Sequence, residues 1–299
     1  MKKNILKRAL MMVMALSMVV TVAGCGSKEA ATGSESASAV KPVLLAVSFG
    51  TSFNNSRDIT IGAVEKALQD ANPDYEVRRA FTSQIIIDKL KKRDNLDIDN
   101  VKQAMDKLVA EGVKDVVIQP THVMPGFEYN DVMDEVKGYE SKFNSMKIGS
   151  ALLVTDEDFD SLVKVLDEET KDYQADDTAV IFMGHGTEHE ANGTYAKLQE
   201  KIDAAGIKNM FIGTVEAEPS LDDVIKMAKK ADVKKVVLRP LMIVAGDHAN
   251  NDMAGDEKDS WKSKFEKEGF KVECVLEGLG QSEGVQQMIV KHAQEAIAK

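Results

Sequence analysis

The stretch Ile181-Phe182-Met183-Gly184-His185-Gly186-Thr187-Glu188-His189 joins an apolar run to a glycine-rich turn and two histidines. The run from Thr178 to Met183 is typical of a buried strand, and the glycines allow the backbone to turn sharply after it. His185 would then stand at the carboxyl end of a strand, where open α/β sheets place their sites. Because Gly-His-Gly also occurs in ordinary tight turns, this motif predicts a site only if other residues converge on it.

The first half of the chain contains a second copy of this pattern. Val-Leu-Leu-Ala-Val-Ser-Phe-Gly-Thr at 43–51 aligns with Ala-Val-Ile-Phe-Met-Gly-His-Gly-Thr at 179–187, and the strand-like runs 114–120 and 234–240 also align. Strand-like and amphipathic helical segments alternate between these blocks, which predicts parallel sheets covered by helices. We therefore expect an α/β protein with two similar doubly wound parallel-sheet halves, residues 41–150 and 151–299, and a cleft between them.

The N-terminal segment has the pattern of an export signal. Basic residues at positions 2, 3, 7 and 8 precede an apolar run, and Val-Ala-Gly-Cys at 22–25 resembles a bacterial lipobox. The resemblance implies a lipoprotein signal peptide at 1–24, a lipidated Cys25, and attachment to the cell membrane outside the cytoplasm. Residues 25–40 are small and polar, which predicts a flexible tether.

The charge of the chain limits its partners. The formal net charge is −11, and removal of the four basic residues of the signal would take it to −15. So acidic a surface argues against nucleic acid or anionic lipid as a partner. The remaining cysteine, Cys274, alternates with charged neighbours and is expected in the core. The sequence leaves the oligomeric state open, a homo-oligomer included.

Three predicted strand ends of the second half carry residues that bind metals. His185 follows the first strand, Glu216 ends the strand-like run from Asn209, and His248 lies in the loop after Val236–Leu238. Neighbouring strands lie about 5 Å apart, so these side chains can converge. Two imidazoles and a carboxylate suit Co²⁺, Fe²⁺, Ni²⁺ or Zn²⁺ and leave coordination positions open. Glu216 as an exposed carboxylate and His248 as a helix cap remain alternatives.

The other three histidines are less promising as ligands. His189 lies between two glutamates and is expected to be solvated, and His292 is expected on the surface of the terminal helix. His122, in the loop after Pro120, is a secondary pocket candidate.

Four blocks, at 45–52, 180–187, 212–219 and 238–252, resemble the anaerobic sirohydrochlorin cobalt chelatases, which share the two-domain fold of ferrochelatase. The similarity covers nearly the whole chain from about residue 43. It implies ATP-independent insertion of Co²⁺, as substrate metal, into a reduced tetrapyrrole, with no organic cofactor. The family's metal ligands fall on His185, Glu216 and His248, and its proton acceptor falls on His185. Ala217-Glu218 replaces the usual glycine and aromatic residue, a change at the predicted pocket rim.

Residues of the first half are expected to form the opposite wall of the cleft and to contact the tetrapyrrole. Hydroxyls and backbone N–H groups there would hold its carboxylates, and apolar side chains would pack on its face. These candidates are Ser48, Thr51, Phe53, Met124 and Glu128.

The predicted export raises a second hypothesis. Precursors of cobalamin are made in the cytoplasm, whereas this chain carries a secretory pattern. A lipoprotein that binds metal, haem or another tetrapyrrole for uptake, without turnover, would explain the pattern on the same fold. The presence of all three predicted ligands favours the enzyme, because binding of a macrocycle alone would not need them.

Overall fold

The two apolar runs that match in sequence form internal strands of two parallel sheets in the computed structural model, which describes residues 40–299. The predicted signal peptide, Cys25 and the predicted tether up to residue 39 lie outside the described residues. Among the described helices, none combines the length and apolar character needed to cross a membrane.

Each sheet has four strands within the described residues. The first contains β1 (Val43–Ser48), β2 (Glu76–Phe81), β3 (Asp115–Pro120) and β4 (Ser145–Ile148). The second contains β5 (Thr178–Gly184), β6 (Met210–Thr214), β7 (Lys235–Pro240) and β8 (Lys271–Cys274). The spatial orders are β2-β1-β3-β4 and β6-β5-β7-β8, all parallel. The predicted fold class, two similar parallel-sheet halves, is confirmed.

The helices of the described part lie between successive strands, except for the last one, which follows β8. In chain order they are α1 (Asn54–Ile59), α2 (Ile61–Ala71), α3 (Gln84–Asp94), α4 (Val101–Ala110), α5 (Phe127–Lys137), α6 (Asp156–Thr170), α7 (Gly193–Ala204), α8 (Leu221–Lys230), α9 (Trp261–Lys267) and α10 (Glu283–Ala298). A short π-helix, Ala249–Met253, lies between β7 and α9.

Glycines shape the turn after the first strand of each half. Gly50 and Gly186, which align in the repeat, both have positive φ, +101° and +85°. A Cβ on Gly50 would lie 2.6 Å from the Phe81 ring, and one on Gly186 would lie 2.7 Å from the backbone nitrogen of Ala217. Only glycine accommodates this conformation and this proximity, so both turns require it.

The two halves share part of their hydrophobic core. Every residue of β1 and β5 is buried, as expected for parallel strands covered on both faces. One buried cluster includes Leu44 and Val117 of the first sheet together with Val180 and Val237 of the second. The C-terminal helix α10 packs against α2, β3 and β4 of the first half. The last segment of the chain therefore stabilises both halves.

The prediction that His292 lies on the surface is wrong. Its side chain is 4% exposed, and Nε2 lies 2.9 Å from Oδ1 of Asp158 on α6. Packing of α10 against α2 and α6 covers the helix face that carries this imidazole. Cys274, expected in the core, is half-buried on β8, and burial raises the pKa of its thiol.

Candidate metal centre

The structure brings the three predicted metal ligands together. His185 follows β5, Glu216 lies two residues beyond β6, and His248 lies at the start of the short helical segment after β7, directly before the π-helix Ala249–Met253. Because β5 is hydrogen-bonded to both β6 and β7, the three strand ends are neighbours at one edge of the sheet. Each side chain offers one ligand atom, and these atoms all lie within 4.8 Å of one another.

The backbone around His185 is held by contacts to the next strand and helix. The Glu216 N–H donates to the carbonyl of His185 at 2.9 Å, so the two candidate ligands are joined through the main chain. The Gly186 N–H donates to the hydroxyl of Tyr195 on α7 at 3.2 Å. A Cβ on Gly184 would lie 2.2 Å from the ring of the same tyrosine. The turn thus presents His185 from a fixed backbone.

Hydrogen bonds leave the same ring nitrogen free on both histidines. Nδ1 of His185 lies 2.8 Å from the carbonyl oxygen of Gly186, and Nδ1 of His248 lies 2.7 Å from Oδ2 of Asp252. A carbonyl oxygen or a carboxylate only accepts, so Nδ1 carries the proton in each ring. The Nε2 lone pairs are then available to a metal ion, with the carbonyl and carboxylate as orienting partners behind them.

The cluster is open to solvent. The side chains of His185, Glu216 and His248 are 48%, 56% and 31% exposed, and Oε2 of Glu216 lies 3.7 Å from Nδ1 of His185. The imidazole rings are 4.6 Å apart, edge to face. Ligands of one ion with bonds of about 2.1 Å lie roughly 3 to 4 Å apart, so the side chains must close in slightly around it. An ion held by these three side chains would keep coordination positions open to solvent.

The five first-half candidates have different environments. Ser48 and Thr51 are buried: the Ser48 hydroxyl lies 2.8 Å from that of Thr121, and Thr51 Oγ1 accepts from the Phe53 N–H at 3.2 Å. The Ser48 hydroxyl therefore joins the end of β1 to the segment after β3, and the Thr51 hydroxyl stabilises the loop after β1. Phe53 lines an open cavity. Met124 is half-buried against the shared core, and Glu128 is exposed in the first turn of α5.

The turn after β5 also contacts the first half, through His189. This side chain is half-buried, so its predicted full solvation is wrong. Its ring meets the Phe127 ring edge to face at 4.8 Å, and Nε2 lies 3.2 Å from Nδ2 of Asn130. Nδ1 accepts from the Ala191 N–H at 3.0 Å. The start of α5 thus packs against the segment that carries His185.

His122 is a buried imidazole rather than a ligand of the cluster. Neither ring nitrogen has a hydrogen-bond partner among the described residues. Burial lowers the pKa of His122 to about 4, while the negative charge of Glu128 acts in the opposite direction. The ring is therefore neutral at neutral pH.

Two supporting residues were missed by the sequence reasoning. Asp252 follows His248 by four residues, the spacing at which helical side chains meet, so this partner could have been found. Tyr195 supports the Gly184-His185-Gly186 turn from α7, and no local pattern indicates that contact.

Comparison with known proteins places these features in one family. A family model described as "Cobalt chelatase (CbiK)" matches residues 42–298. The sirohydrochlorin cobaltochelatase of Salmonella typhimurium is 39% identical over 258 residues, which cover 86% of this chain and 97% of that protein. Sirohydrochlorin cobaltochelatase CbiKC of Nitratidesulfovibrio vulgaris is 32% identical over 263 residues, covering 86% and 91%.

The fold is also shared with a solved chelatase structure. SirB from Bacillus subtilis with Fe³⁺ aligns with a TM-score of 0.61 at 12% identity, covering 87% of this chain and 96% of that one. At this identity the likeness concerns the fold alone, whereas the family model and the two relatives cover nearly all the described residues. The chain therefore belongs to the CbiK family of cobalt chelatases.

Proposed function

We propose that this protein inserts Co²⁺ into sirohydrochlorin, with His185, Glu216 and His248 holding the ion and His185 accepting a pyrrole proton. Two relatives are named sirohydrochlorin cobaltochelatases. The observation that carries the residue assignment is the convergence of two imidazoles and one carboxylate within 4.8 Å at the sheet edge. We further propose that the reaction needs no organic cofactor.

The donor set fits the chemistry of insertion. The macrocycle exchanges two pyrrole protons for Co²⁺, so the site must release the ion and receive protons. Nε2 of His185 can bind the ion or a proton, but not both at once. Transfer of Co²⁺ to the macrocycle frees this nitrogen, which then accepts one of the two pyrrole protons, and the second proton leaves to solvent through the exposed Glu216 carboxylate. The Glu216 carboxylate offsets the charge of the ion and lies close enough to the ring to stabilise the resulting imidazolium.

Two exposed aromatic side chains of the first half offer an apolar surface to a ligand. Phe49, which aligns with His185 in the repeat, is 48% exposed, and Phe127 is 55% exposed. Phe127 also touches His189 in the turn that carries His185. We propose that the macrocycle packs against these rings and against Phe53 and Met124, with Glu128 nearby. Ser48 and Thr51 would contribute only the shape of the loop.

The proposed activity is tested by mixing full-length protein, purified in detergent, anaerobically with Co²⁺ and sirohydrochlorin and following the absorption change of insertion. We expect a rate well above the metal-only background. His189→Ala, which removes an imidazole outside the cluster, should retain most of this rate. Saturable binding of the macrocycle without insertion would instead support the uptake lipoprotein, which the predicted export favours.

The cellular location is a separate proposal. We propose that Cys25 is lipidated and anchors the protein to the membrane outside the cytoplasm, with residues 41–150 and 151–299 as its α/β halves. The support is the basic and apolar pattern of residues 1–24 and the lipobox-like residues before Cys25. A homo-oligomer is compatible with this anchoring.

A further inference from the structure

A cavity of about 470 Å³ opens beside the candidate metal centre. Its wall is formed by the segment after β1, by α3, and by the loop that carries His248. Asn250, two residues after His248, lines it, as does Phe53. Nothing in the proposed insertion step uses this space.

The cavity differs in charge from the rest of the molecule. The chain has 49 acidic and 38 basic residues, yet the described lining contains Lys89 and Arg93 and no aspartate or glutamate. Ile59 and Leu276, 52% and 43% exposed, add apolar surface at its edges. A cationic pocket with apolar edges suits a ligand that combines carboxylates with a hydrophobic body.

Arg93 is fixed in place by its neighbours. Nη2 of Arg93 donates to the carbonyl oxygen of Ser52 and to Oδ1 of Asn54, both at 2.7 Å. Arg57, which is 8% exposed, donates to the same amide oxygen at 2.9 Å. Two guanidinium groups thus converge on one neutral acceptor. Each also has a carboxylate neighbour, Asp94 beside Arg93 and Asp58 beside Arg57.

Lys89 is the least restrained cation of the wall. It lies one helical turn before Arg93 on α3, so both side chains extend from one face of that helix. Among the described residues, none lies close enough to the Lys89 ammonium group to form a hydrogen bond or an ion pair with it. This charge is therefore free to pair with a ligand.

The cavity and the metal centre share one segment of the chain, because Ala245 and Asn250, on either side of His248 in the sequence, both line the cavity. The Ala245 N–H, in the loop that leads to His248, donates to the Ser56 hydroxyl of α1 at 3.1 Å. This contact joins the two segments that form the cavity wall. A flat ligand bound at His248 would therefore lie next to the wall of the cavity.

We infer that this cavity is a subsite for acetate and propionate side chains of the tetrapyrrole, with Lys89 and Arg93 as their charge partners. The inference rests on the proposed function, because it takes the ligand over the cluster to be sirohydrochlorin. It adds a basis for selectivity: a polycarboxylate macrocycle gains from both cations, whereas a dicarboxylate porphyrin presents fewer charges to them. The interaction weakens as salt screens these charges.

The test compares Lys89 with Lys92, which is on the same helix but does not line the cavity. Full-length Lys89→Ala, Lys89→Glu and Lys92→Glu proteins in detergent are titrated with metal-free sirohydrochlorin, with tetrapyrrole fluorescence as the signal. For an exposed charge pair we expect about threefold weaker binding in Lys89→Ala and about tenfold weaker binding in Lys89→Glu. Lys92→Glu should stay within about twofold of the wild type.

Two further readouts separate this role from a structural one. Binding of deuteroporphyrin, a dicarboxylate, should change less than that of sirohydrochlorin, and Lys89→Ala should raise KM for sirohydrochlorin by a larger factor than it lowers kcat. If Lys89→Glu binds sirohydrochlorin like Lys92→Glu, or if both macrocycles lose affinity equally, the inference is overturned. Failure of insertion in the wild type, with the Lys89 effect on binding intact, would overturn the proposed function but not the subsite.

Discussion

Asp252 provides a specific test of how the metal centre is organised. Its Oδ2 accepts from Nδ1 of His248 at 2.7 Å, which leaves the Nε2 lone pair of that ring available to a metal ion. In Asp252→Asn the amide group can instead donate to Nδ1. The proton then moves to Nε2, and His248 is lost as a ligand in that tautomer.

The expected magnitude follows from the geometry and the exposure. A hydrogen bond to a charged group contributes about 1.5 to 3 kcal/mol. The side chains of Asp252 and His248 are 45% and 31% exposed, so solvent screening reduces this contribution. We therefore expect a loss of about 1.4 kcal/mol, or about tenfold in Co²⁺ affinity, the lower end of the range for partners of metal-bound histidines.

Titration calorimetry with Co²⁺ measures this effect, and the insertion assay should show a parallel decrease. Asp247→Asn is the matched control, because Asp247 lies in the same loop but accepts from Asn251 rather than from a histidine. It removes the same charge from the same region. If the two variants bind Co²⁺ equally well, the orienting role of Asp252 is refuted.

Three further variants test other parts of the structure. Gly186→Ala should lower the free energy of unfolding by about 1 to 3 kcal/mol and slow insertion, because the φ of this residue is +85° and the added Cβ would meet Ala217. Urea unfolding measures the first effect and the insertion assay the second. Unchanged values in both would contradict a requirement for glycine in this turn. In the folded protein the pKa of His122 is lowered from 6.5 to about 4. As the pH decreases, the imidazole is therefore protonated in the unfolded chain before it is protonated in the folded one, so the free energy of unfolding falls between about pH 6.5 and pH 4. At pH 5 this loss should be about 2 kcal/mol relative to pH 7, and His122→Met should remove that part of the pH dependence in urea unfolding; an unchanged dependence would show that His122 is not its source. Cys25→Ser should release the protein from membranes in cell fractionation, and persistent attachment would count against lipidation.

The fold and the ligand cluster could be predicted because they depend on local patterns. The apolar runs of β1 and β5 mark buried parallel strands, and their repetition indicates two equivalent sheets. Parallel strands end at one edge, so His185, Glu216 and His248 could be brought together without knowledge of packing. The sheet order β6-β5-β7 differs from the sequence order, but all three strands end at the same edge.

Features that depend on contacts between distant segments could not be predicted in this way. His292 is buried because α10 packs against α2 and α6, where Asp158 meets it from a position 134 residues earlier. His189 looked solvated from its acidic neighbours, but Phe127 of the other half covers it. The cationic cavity likewise requires α3 to lie beside the loop of His248, and neither segment suggests it alone.

The central claim is that His185, Glu216 and His248 hold the substrate Co²⁺, and anomalous scattering at the cobalt edge from crystals grown with Co²⁺ tests it most directly. We expect one cobalt peak within bonding distance of all three side chains, and its loss in His185→Ala crystals. A cobalt peak elsewhere, or a peak at this position that persists unchanged without the His185 imidazole, would contradict the account.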